Sequence, residues 1–176
     1  MLPACLSIVM AKKTNANMYR NMKVAYTRRK YMGGVPASRI TNFDTGNTSE
    51  NFPVTVHLIC KENCYIRHVA LEAARLTANR RISGAAGKEG YHLKVRLYPH
   101  HVLRHNKIAQ GAGADRISTG MRLSFGKIVG SAARVKPNQK LMTLRTTEDM
   151  LDVAKDALRK SYHKIPTPCK IVVEPN

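Results

Sequence analysis

The chain has 176 residues, enough for one ordinary domain, and 43% of them are hydrophobic, which argues against disorder throughout. Its 30 Lys and Arg oppose 11 Asp and Glu, so the formal net charge is +19, and a compact chain would repel itself unless a polyanion neutralised it. No apolar run is long enough to cross a bilayer, so we expect nucleic acid and not a membrane as the partner.

The segment before Asp44 is a basic arm, because it contains eight Lys or Arg and no acid. Residues 1–9 are apolar and lack the charged start of a signal peptide, so we treat them as an upstream extension or a disordered tail. Residues 10–43 interleave tyrosines with cations, as in "MYRNMKVAYTRRKY", which is typical of segments that stack on bases and contact phosphates. A solvated basic tail is the alternative.

The stretch "FPVTVHLI" predicts a strand with one buried face, since Val54, Val56 and Leu58 alternate with Thr55 and His57.

A first helix is predicted from Tyr65 onwards, ending near residues 84–87. The apolar positions at helical spacing, which should face the core, are Ile66, Val69, Ala70, Ala73 and Leu76. The positions that should fall on the opposite side are Arg67, Glu72, Arg75 and Asn79.

One local pattern has the residue types of a zinc site. In "HLICKENCYIRH", His57, Cys60, Cys64 and His68 fall within twelve residues. Their spacings differ from those of common zinc modules, and a strand followed by a helix would need a tight turn to bring them together. We therefore expect no metal and no cofactor. The chain's four cysteines fit a reducing cytosol better than secretion.

The stretch "YHLKVRLYP" shows the clearest alternation in the chain. Its odd-numbered residues from Tyr91 to Leu97 are apolar and the even-numbered ones are polar, which predicts a strand with one core face and one cationic face. A histidine-rich and cationic segment then precedes a run of glycine and alanine. We predict an exposed, mobile loop over residues 106–115.

Two further strands are predicted at residues 127–135 and 140–145, with "KPNQ" as the turn between them. A second helix follows, with an apolar stripe at Met150, Val153, Ala154, Ala157 and Leu158, and "CKIVVE" gives a last strand. The order β-α-β-β-β-α-β after the arm predicts an α+β fold with two helices packed on one face of a largely antiparallel sheet. Residues 44–176 should form this single domain.

The glycine-rich stretch at residues 111–135 does not match a nucleotide-binding enzyme. A P-loop needs four residues between its glycines and a Ser or Thr after its Lys, whereas five residues separate Gly120 from Gly126, and Ile128 follows Lys127. The dinucleotide fingerprint would require a third glycine where Arg116 stands. With no paired carboxylates among these glycines, we expect a protein that is not an enzyme.

The basic charge is concentrated on part of the chain. Asp115 is the only acid between Tyr91 and Arg145, whereas four of the 11 acids lie between Glu148 and Asp156. This asymmetry predicts one side of the molecule that faces a polyanion.

Several stretches together resemble one family: "MYR", "AYTRRKY", "GVPASRI", "ALEAARL", "GYHLKVRLYPHHVLRHNK" and "ADRISTGMRLSFGKIVGSAARV". They are similar, from about Met10 to the C-terminus, to the archaeal and eukaryotic large-subunit ribosomal protein family ten-e, the counterpart of bacterial large-subunit protein sixteen. The resemblance implies a cytoplasmic protein of the large ribosomal subunit. It would be held by large-subunit (23S-type) rRNA near the 5S rRNA region of the central protuberance, among neighbouring large-subunit ribosomal proteins and beside the A-site tRNA.

The resemblance and the charge pattern together give the candidate site residues. The candidate rRNA-binding side chains are Lys12, Lys13, Arg20, Lys23, Arg28, Arg29, Lys30, Lys94, Arg96, Arg104, Lys107, Arg116, Arg122, Lys127 and Arg134. The resemblance implies that the loop at residues 106–115 points toward the peptidyl-transferase region, with tRNA-proximal residues Asn106, Lys107, Gln110, Gly111, Gly113 and Asp115.

Two other classes of function remain open at this point. A free-standing RNA chaperone or architectural protein would carry the same charge but bind many RNAs alike. A zinc-dependent or nucleotide-dependent enzyme would need a bound metal or a turnover signal.

Overall fold

The computed structural model describes residues 24–106, 108–116 and 118–175. Within them lie two helices, α1 (His68–Ala86) and α2 (Leu151–Tyr162). The strands are β1 (Asp44–Gly46), β2 (Val54–Cys60), β3 (Cys64–Arg67), β4 (Tyr91–Val95), β5 (His101–His105), β6 (Lys127–Val135), β7 (Lys140–Thr146) and β8 (Cys169–Pro175). Short 3-10 turns occupy Arg29–Tyr31, Ala114–Arg116 and Glu148–Met150. The predicted α+β class is confirmed.

The strands form two antiparallel sheets. The larger one has five strands in the order β1-β4-β7-β2-β8, and the smaller one has three in the order β3-β6-β5. All seven residues of β2 are buried, so the prediction that only one of its faces is buried was wrong. The strand lies between β7 and β8, and its polar His57 stays inside because His57 Nδ1 lies 3.0 Å from Thr143 Oγ1.

The two helices lie on the same side of the larger sheet and pack against each other. Small residues allow this close approach, since Ala74 and Ala78 of α1 and Ala154 and Ala157 of α2 are completely buried. Ser161 Oγ donates a hydrogen bond of 2.8 Å to the carbonyl oxygen of Ala74 and so joins the helices. Within the described residues, neither helix is long and apolar enough to cross a membrane.

The predicted inner face of α1 was wrong. Val69 and Leu76, expected in the core, are 46% and 48% exposed. The buried residues of the helix are His68, Leu71, Ala74, Arg75, Ala78 and Ile82. The predicted apolar stripe begins at Ile66, which lies on β3 and not on the helix, so every position of the stripe is displaced around the helix axis. Arg75, expected outside, is buried because it pairs with Glu72 at 2.6 Å between Nη2 and Oε1.

Three strands were not predicted from the sequence: β1, β3 and β5. Residues 65–67 were assigned to the first helix, but they pair with β6, where Tyr65 lies opposite Arg134. The β5 sequence "HVLRH" has too few apolar residues to show alternation, and it becomes a strand because β6 offers a partner. Both β3 and β5 are strands because they form hydrogen bonds with β6, which lies far along the chain. The local pattern of apolar and polar residues does not reveal such pairing.

The described part of the arm lies against the folded domain. Ile40 is 2% exposed and belongs to the hydrophobic core, and the amide of Val95 donates to the carbonyl of Phe43 at 2.8 Å. Farther upstream, the amide of Val102 donates to the carbonyl of Tyr26 at 2.9 Å. Residues 24–43 therefore extend the edges of both sheets.

Candidate nucleic-acid interface

On the helical side of the molecule, charges neutralise one another. Asp156 of α2 accepts from Arg81 Nε at 2.7 Å and lies 3.2 Å from Lys160 Nζ. The Arg81 hydrogen bond, followed by that of Lys160, lowers the pKa of the Asp156 carboxyl. The i,i+3 pair of Asp152 and Lys155 adds a further contact at 3.3 Å. By contrast, Arg80 of α1 and Arg159 of α2 are exposed and have no carboxylate partner among the described residues, so this side is neutralised only in part.

The β6 strand and the loops before it carry exposed cations that are not paired with acids of the described residues. Arg116, Arg122, Lys127 and Arg134 are exposed, and none of them forms an ion pair with a carboxylate of the residues that the structure describes. Uncompensated, solvent-facing Lys and Arg are the groups that phosphates neutralise when RNA binds. These four side chains are thus available to a polyanion.

The cationic face of β4 is partly neutralised within the protein. Lys94 Nζ lies 3.3 Å from Asp44 Oδ1, and Arg96 Nε donates to Thr143 Oγ1 at 2.6 Å. His92, predicted to share this face, is 7% exposed and also contacts Asp44, with 3.0 Å between Nε2 and Oδ1. Lys94 and Arg96 remain exposed, but their charge is less available than that of the β6 cations.

Two candidate residues hold the backbone of the protein itself. Arg104 Nη1 donates to the carbonyl oxygen of Gly126 at 3.0 Å, and Asn106 Nδ2 donates to that of Gly120 at 3.1 Å. Gly126, at φ +76°, lies so close to β5 that an added Cβ would be 2.6 Å from the carbonyl carbon of His105. These contacts fix both ends of residues 120–126 on the end of β5.

The predicted loop at residues 106–115 is exposed along most of its described length. Gly111 and Gly113 have φ values of +109° and +78°, and nothing lies within 4 Å of where their side chains would be. The loop returns through the turn Ala114–Arg116, where the amide of Ala114 donates to the carbonyl of Gly111 at 3.2 Å. Gln110 and Asp115 also face solvent. The loop is therefore held by local backbone bonds and buries little surface.

Part of the predicted site falls outside the described residues, namely Lys12, Lys13, Arg20, Lys23 and Lys107. In the described part of the arm, Arg28, Arg29 and Lys30 are exposed. Arg29 Nη2 donates to the carbonyl oxygen of Pro99 at 3.1 Å, and Lys30 Nζ lies 4.9 Å from the centre of the Tyr31 ring.

Buried histidines connect the arm to the smaller sheet. The His101 ring stacks on Tyr65 at 4.3 Å between centroids, and its Nδ1 accepts the amide proton of Tyr26 at 3.1 Å. Nδ1 of His68 accepts the amide proton of Arg39 at 2.9 Å. Burial is the main cause that lowers the pKa of both histidines, and nearby arginines lower it further. Both rings are therefore neutral structural groups near pH 7.

The candidate zinc ligands do not converge. Nε2 of His57 lies 3.2 Å from Glu174 Oε2, and His68 is engaged by the arm. Cys60 and Cys64 do lie together, and the hydrogen bond from Cys64 lowers the pKa of the Cys60 thiol to about 7. No group of three or more His, Cys, Asp or Glu side chains in the described part of the chain has the geometry to hold a metal ion.

Comparison with known proteins identifies the family. The model of the family described as ribosomal protein L16p/L10e matches residues 21–172. The chain belongs to the ribosomal protein L16p/L10e family. This agrees with the resemblance stated from the sequence motifs, and its members are structural ribosomal proteins and not enzymes, as expected for this chain.

Curated relatives within the L16p/L10e family cover nearly the whole chain. The large ribosomal subunit protein uL16 of Methanosphaerula palustris is 56% identical over 89% of this chain and 91% of its own length. That of Methanoculleus marisnigri is 54% identical over 90% of this chain and 94% of its own. The Archaeoglobus fulgidus protein is 52% identical over 94% of each. The chain is thus similar to archaeal proteins along almost its full length.

The structure of this L16p/L10e chain also shows an exposed aromatic residue that was not among the candidate site residues. Phe125 is 60% exposed, and the Arg104 guanidinium lies 4.3 Å from the centre of its ring. The signal that the sequence offers is "GMRLSFGK", in which Met121, Leu123 and Phe125 alternate with the polar Arg122 and Ser124 between two glycines.

Proposed function

We propose that the protein is a structural constituent of the large ribosomal subunit that binds large-subunit rRNA near the central protuberance and helps to position the A-site tRNA. It acts in the cytoplasm, on ribosomes of the archaeal type. The observation that carries the proposal is the set of exposed cations Arg116, Arg122, Lys127 and Arg134, which the described residues leave without carboxylate partners. Membership of the ribosomal protein L16p/L10e family supports the choice of rRNA as the polyanion.

Salt dependence tests the rRNA contact. If about 8 cations contact phosphates, the logarithm of the affinity for large-subunit rRNA fragments should fall with the logarithm of the salt concentration with a slope of about 6 to 7. Replacing Arg122 by Ala should reduce this slope by about 0.7 to 0.9, the share of one phosphate contact. The matched control is Arg81→Ala, because Arg81 is already neutralised by Asp156 and should leave the slope unchanged.

The result that would overturn the rRNA proposal is a slope near 1 for the wild type, or equal effects of the two arginine substitutions. A protein that bound unrelated structured RNAs as tightly as large-subunit rRNA would instead be a free-standing RNA chaperone.

The loop at residues 106–115 is the part that we assign to tRNA. It buries little surface and has local hydrogen bonds, so the fold does not depend on it. The Arg104 and Asn106 contacts to residues 120–126 hold the base of the loop in place. A stable base with an exposed, glycine-containing tip suits a segment that reaches beyond the rRNA-bound domain to a ligand that comes and goes.

Ribosomes that carry a deletion of residues 109–113 test this assignment. We expect normal assembly, because loop closure changes by only about 0.6 kcal/mol for each doubling of length, together with weaker A-site tRNA binding or slower peptide transfer. A variant in which the same residues are replaced by a Gly-Ser segment of equal length separates loss of reach from loss of specific contacts. If the deletion blocked assembly and left both tRNA assays unchanged, the loop would be a docking element.

A further inference from the structure

Residues 119–126 form a turn, here named the apolar turn, that exposes three large apolar side chains. Met121 is 72% exposed, Leu123 is 82% exposed and Phe125 is 60% exposed. Single exposed apolar residues are ordinary, but three large ones within five positions of one turn are not, and we call these three side chains the apolar patch. Exposed apolar side chains gathered in one place are typical of binding surfaces.

The apolar turn is held in one position before any partner binds. Asn106 and Arg104 fix the carbonyl groups at its two ends, and within it Thr119 Oγ1 donates to the carbonyl oxygen of Arg122 at 2.9 Å. Leu123 has φ +57°, a left-handed conformation that an L-residue with a branched side chain seldom adopts. The backbone thus accepts strain while presenting a leucine to solvent.

The Phe125 ring has the geometry of a stacking platform. The Arg104 guanidinium covers one side at 4.3 Å from the ring centre, and Tyr26 meets the ring edge-on at 5.8 Å with an interplanar angle of 75°. The side chain is nevertheless 60% exposed, so part of its surface faces solvent. An exposed aromatic ring supported by a cation is a surface on which an unpaired nucleobase can stack.

The charges around the apolar turn select the occupant. Arg122 lies within the turn, Lys127 follows it directly and Arg116 lies in the turn before it, all exposed. An apolar pocket of a protein partner would have to bury these cations, whereas an RNA strand places its phosphates against them while a base covers the apolar patch. The occupant that fits both features is RNA with a looped-out base.

We propose that Phe125, backed by Arg104, binds an unpaired RNA base by stacking, with Met121 and Leu123 as apolar walls. This inference rests on the proposed rRNA-binding function. It adds a contact that recognises an unpaired base and not the charge of the phosphates. It therefore contributes affinity that does not depend on salt.

The test uses the full-length protein and two RNA hairpins, one fully paired and one that differs from it only by a single inserted, looped-out 2-aminopurine. We expect the wild type to prefer the looped-out hairpin and to change the 2-aminopurine fluorescence on binding. Phe125→Ala should lower affinity for that hairpin on the order of 5- to 150-fold at every salt concentration, with an unchanged salt slope. Phe125→Tyr should restore the preference, because it keeps the ring.

Leu76→Ala is the matched control, since Leu76 is also an exposed apolar residue but lies on α1 and should not alter RNA binding. Thermal unfolding of each variant separates loss of stacking from loss of fold. Equal affinity and equal fluorescence change for wild type and Phe125→Ala would overturn the stacking site while leaving rRNA binding intact. A wild type that bound neither hairpin nor large-subunit rRNA in a salt-dependent manner would instead refute the proposed function itself.

Discussion

Replacing Gly126 by Ala should destabilise the protein far more than replacing Gly120 by Ala. Both glycines have positive φ, +76° and +62°, so both substitutions place an L-residue in the left-handed region. They differ in surroundings, because nothing lies within 4 Å of a Cβ at Gly120, whereas a Cβ at Gly126 would approach the amide nitrogen of Asn106 to 2.7 Å. The contacted atoms are backbone, which cannot rotate away.

The expected magnitudes follow from these two terms. Gly120→Ala carries only the conformational strain, about 1 kcal/mol of unfolding free energy. Gly126→Ala adds the cost of pushing the turn away from β5, and the sum is about 2 to 4 kcal/mol. In a domain of this size each kcal/mol lowers Tm by about 2 to 4 °C.

Urea or thermal unfolding of the two variants beside the wild type measures the difference directly. The reasoning would be refuted if both substitutions cost the same, since the close approach of Gly126 to His105 and Asn106 would then have no energetic consequence. The RNA-binding assay adds a second readout, because moving residues 120–126 also displaces Phe125 from Arg104. Gly126→Ala should lose affinity for a looped-out base, and Gly120→Ala should keep most of it.

Three further expectations concern stability. Leu123→Gly should stabilise the fold by about 0.5 kcal/mol in urea unfolding, because relief of left-handed strain exceeds the added freedom of the unfolded chain; a loss of stability would contradict the strain. Burial lowers the pKa of His101 below its usual 6.5, so the unfolded chain binds the proton more readily than the folded one. The contribution of the neutral ring to the free energy of unfolding should therefore be fully present above about pH 6.5 and should be lost as the pH falls below that value. His101→Asn, which can still accept from the Tyr26 amide, should reduce the difference in unfolding free energy between about pH 7.5 and about pH 5.5; an unchanged difference would exclude His101 as the cause. Ser161→Ala should cost about 1 kcal/mol in urea unfolding because the carbonyl of Ala74 loses its partner across the helix interface, and a neutral result would show that this bond contributes nothing net.

The strands and helices with regular periodicity could be predicted from the sequence, because alternation or helical spacing is a local property. Tyr91 and Leu93 are buried as their alternation indicated, and the stripe of Ala154, Ala157 and Leu158 faces the core as predicted. The second helix succeeded where the first failed because Met150, where its stripe begins, lies in a 3-10 turn that leads directly into α2, whereas Ile66, where the first stripe begins, lies on a strand.

The elements that failed depend on partners far along the chain. Tyr65 fits the helical pattern in the sequence, but in the structure it lies on β3 and pairs with β6. The helix therefore begins later, and its buried face differs from the predicted one. Arg75 was predicted to lie outside, but it is buried and its Nη1 donates to Thr45 Oγ1 of β1 at 3.4 Å. No pattern of neighbouring residues records such contacts, so sequence periodicity could not have found them.

The candidate site shows the same division. The surplus of Lys and Arg is a property of composition, and so the presence of a cationic surface was predictable. Which cations stay available is a property of the fold, since Arg81 and Arg122 look alike in the sequence but only Arg81 meets a carboxylate. The role that we propose for Phe125 likewise depends on Arg104, which β5 places against its ring.

The distribution of charge also explains how a chain of net charge +19 can fold and still bind a polyanion. Asp156 neutralises cations of the two helices, and the buried His68 and His101 are neutral, so repulsion is reduced in the core and around Asp156. The remaining exposed cations repel one another in the free protein, and salt ions or RNA phosphates would relieve this repulsion. We therefore expect added salt to stabilise the fold and to weaken the proposed RNA binding, whereas bound rRNA should stabilise the folded state by its own binding free energy. Charge that is unfavourable in the isolated chain thus becomes favourable only in the assembled particle.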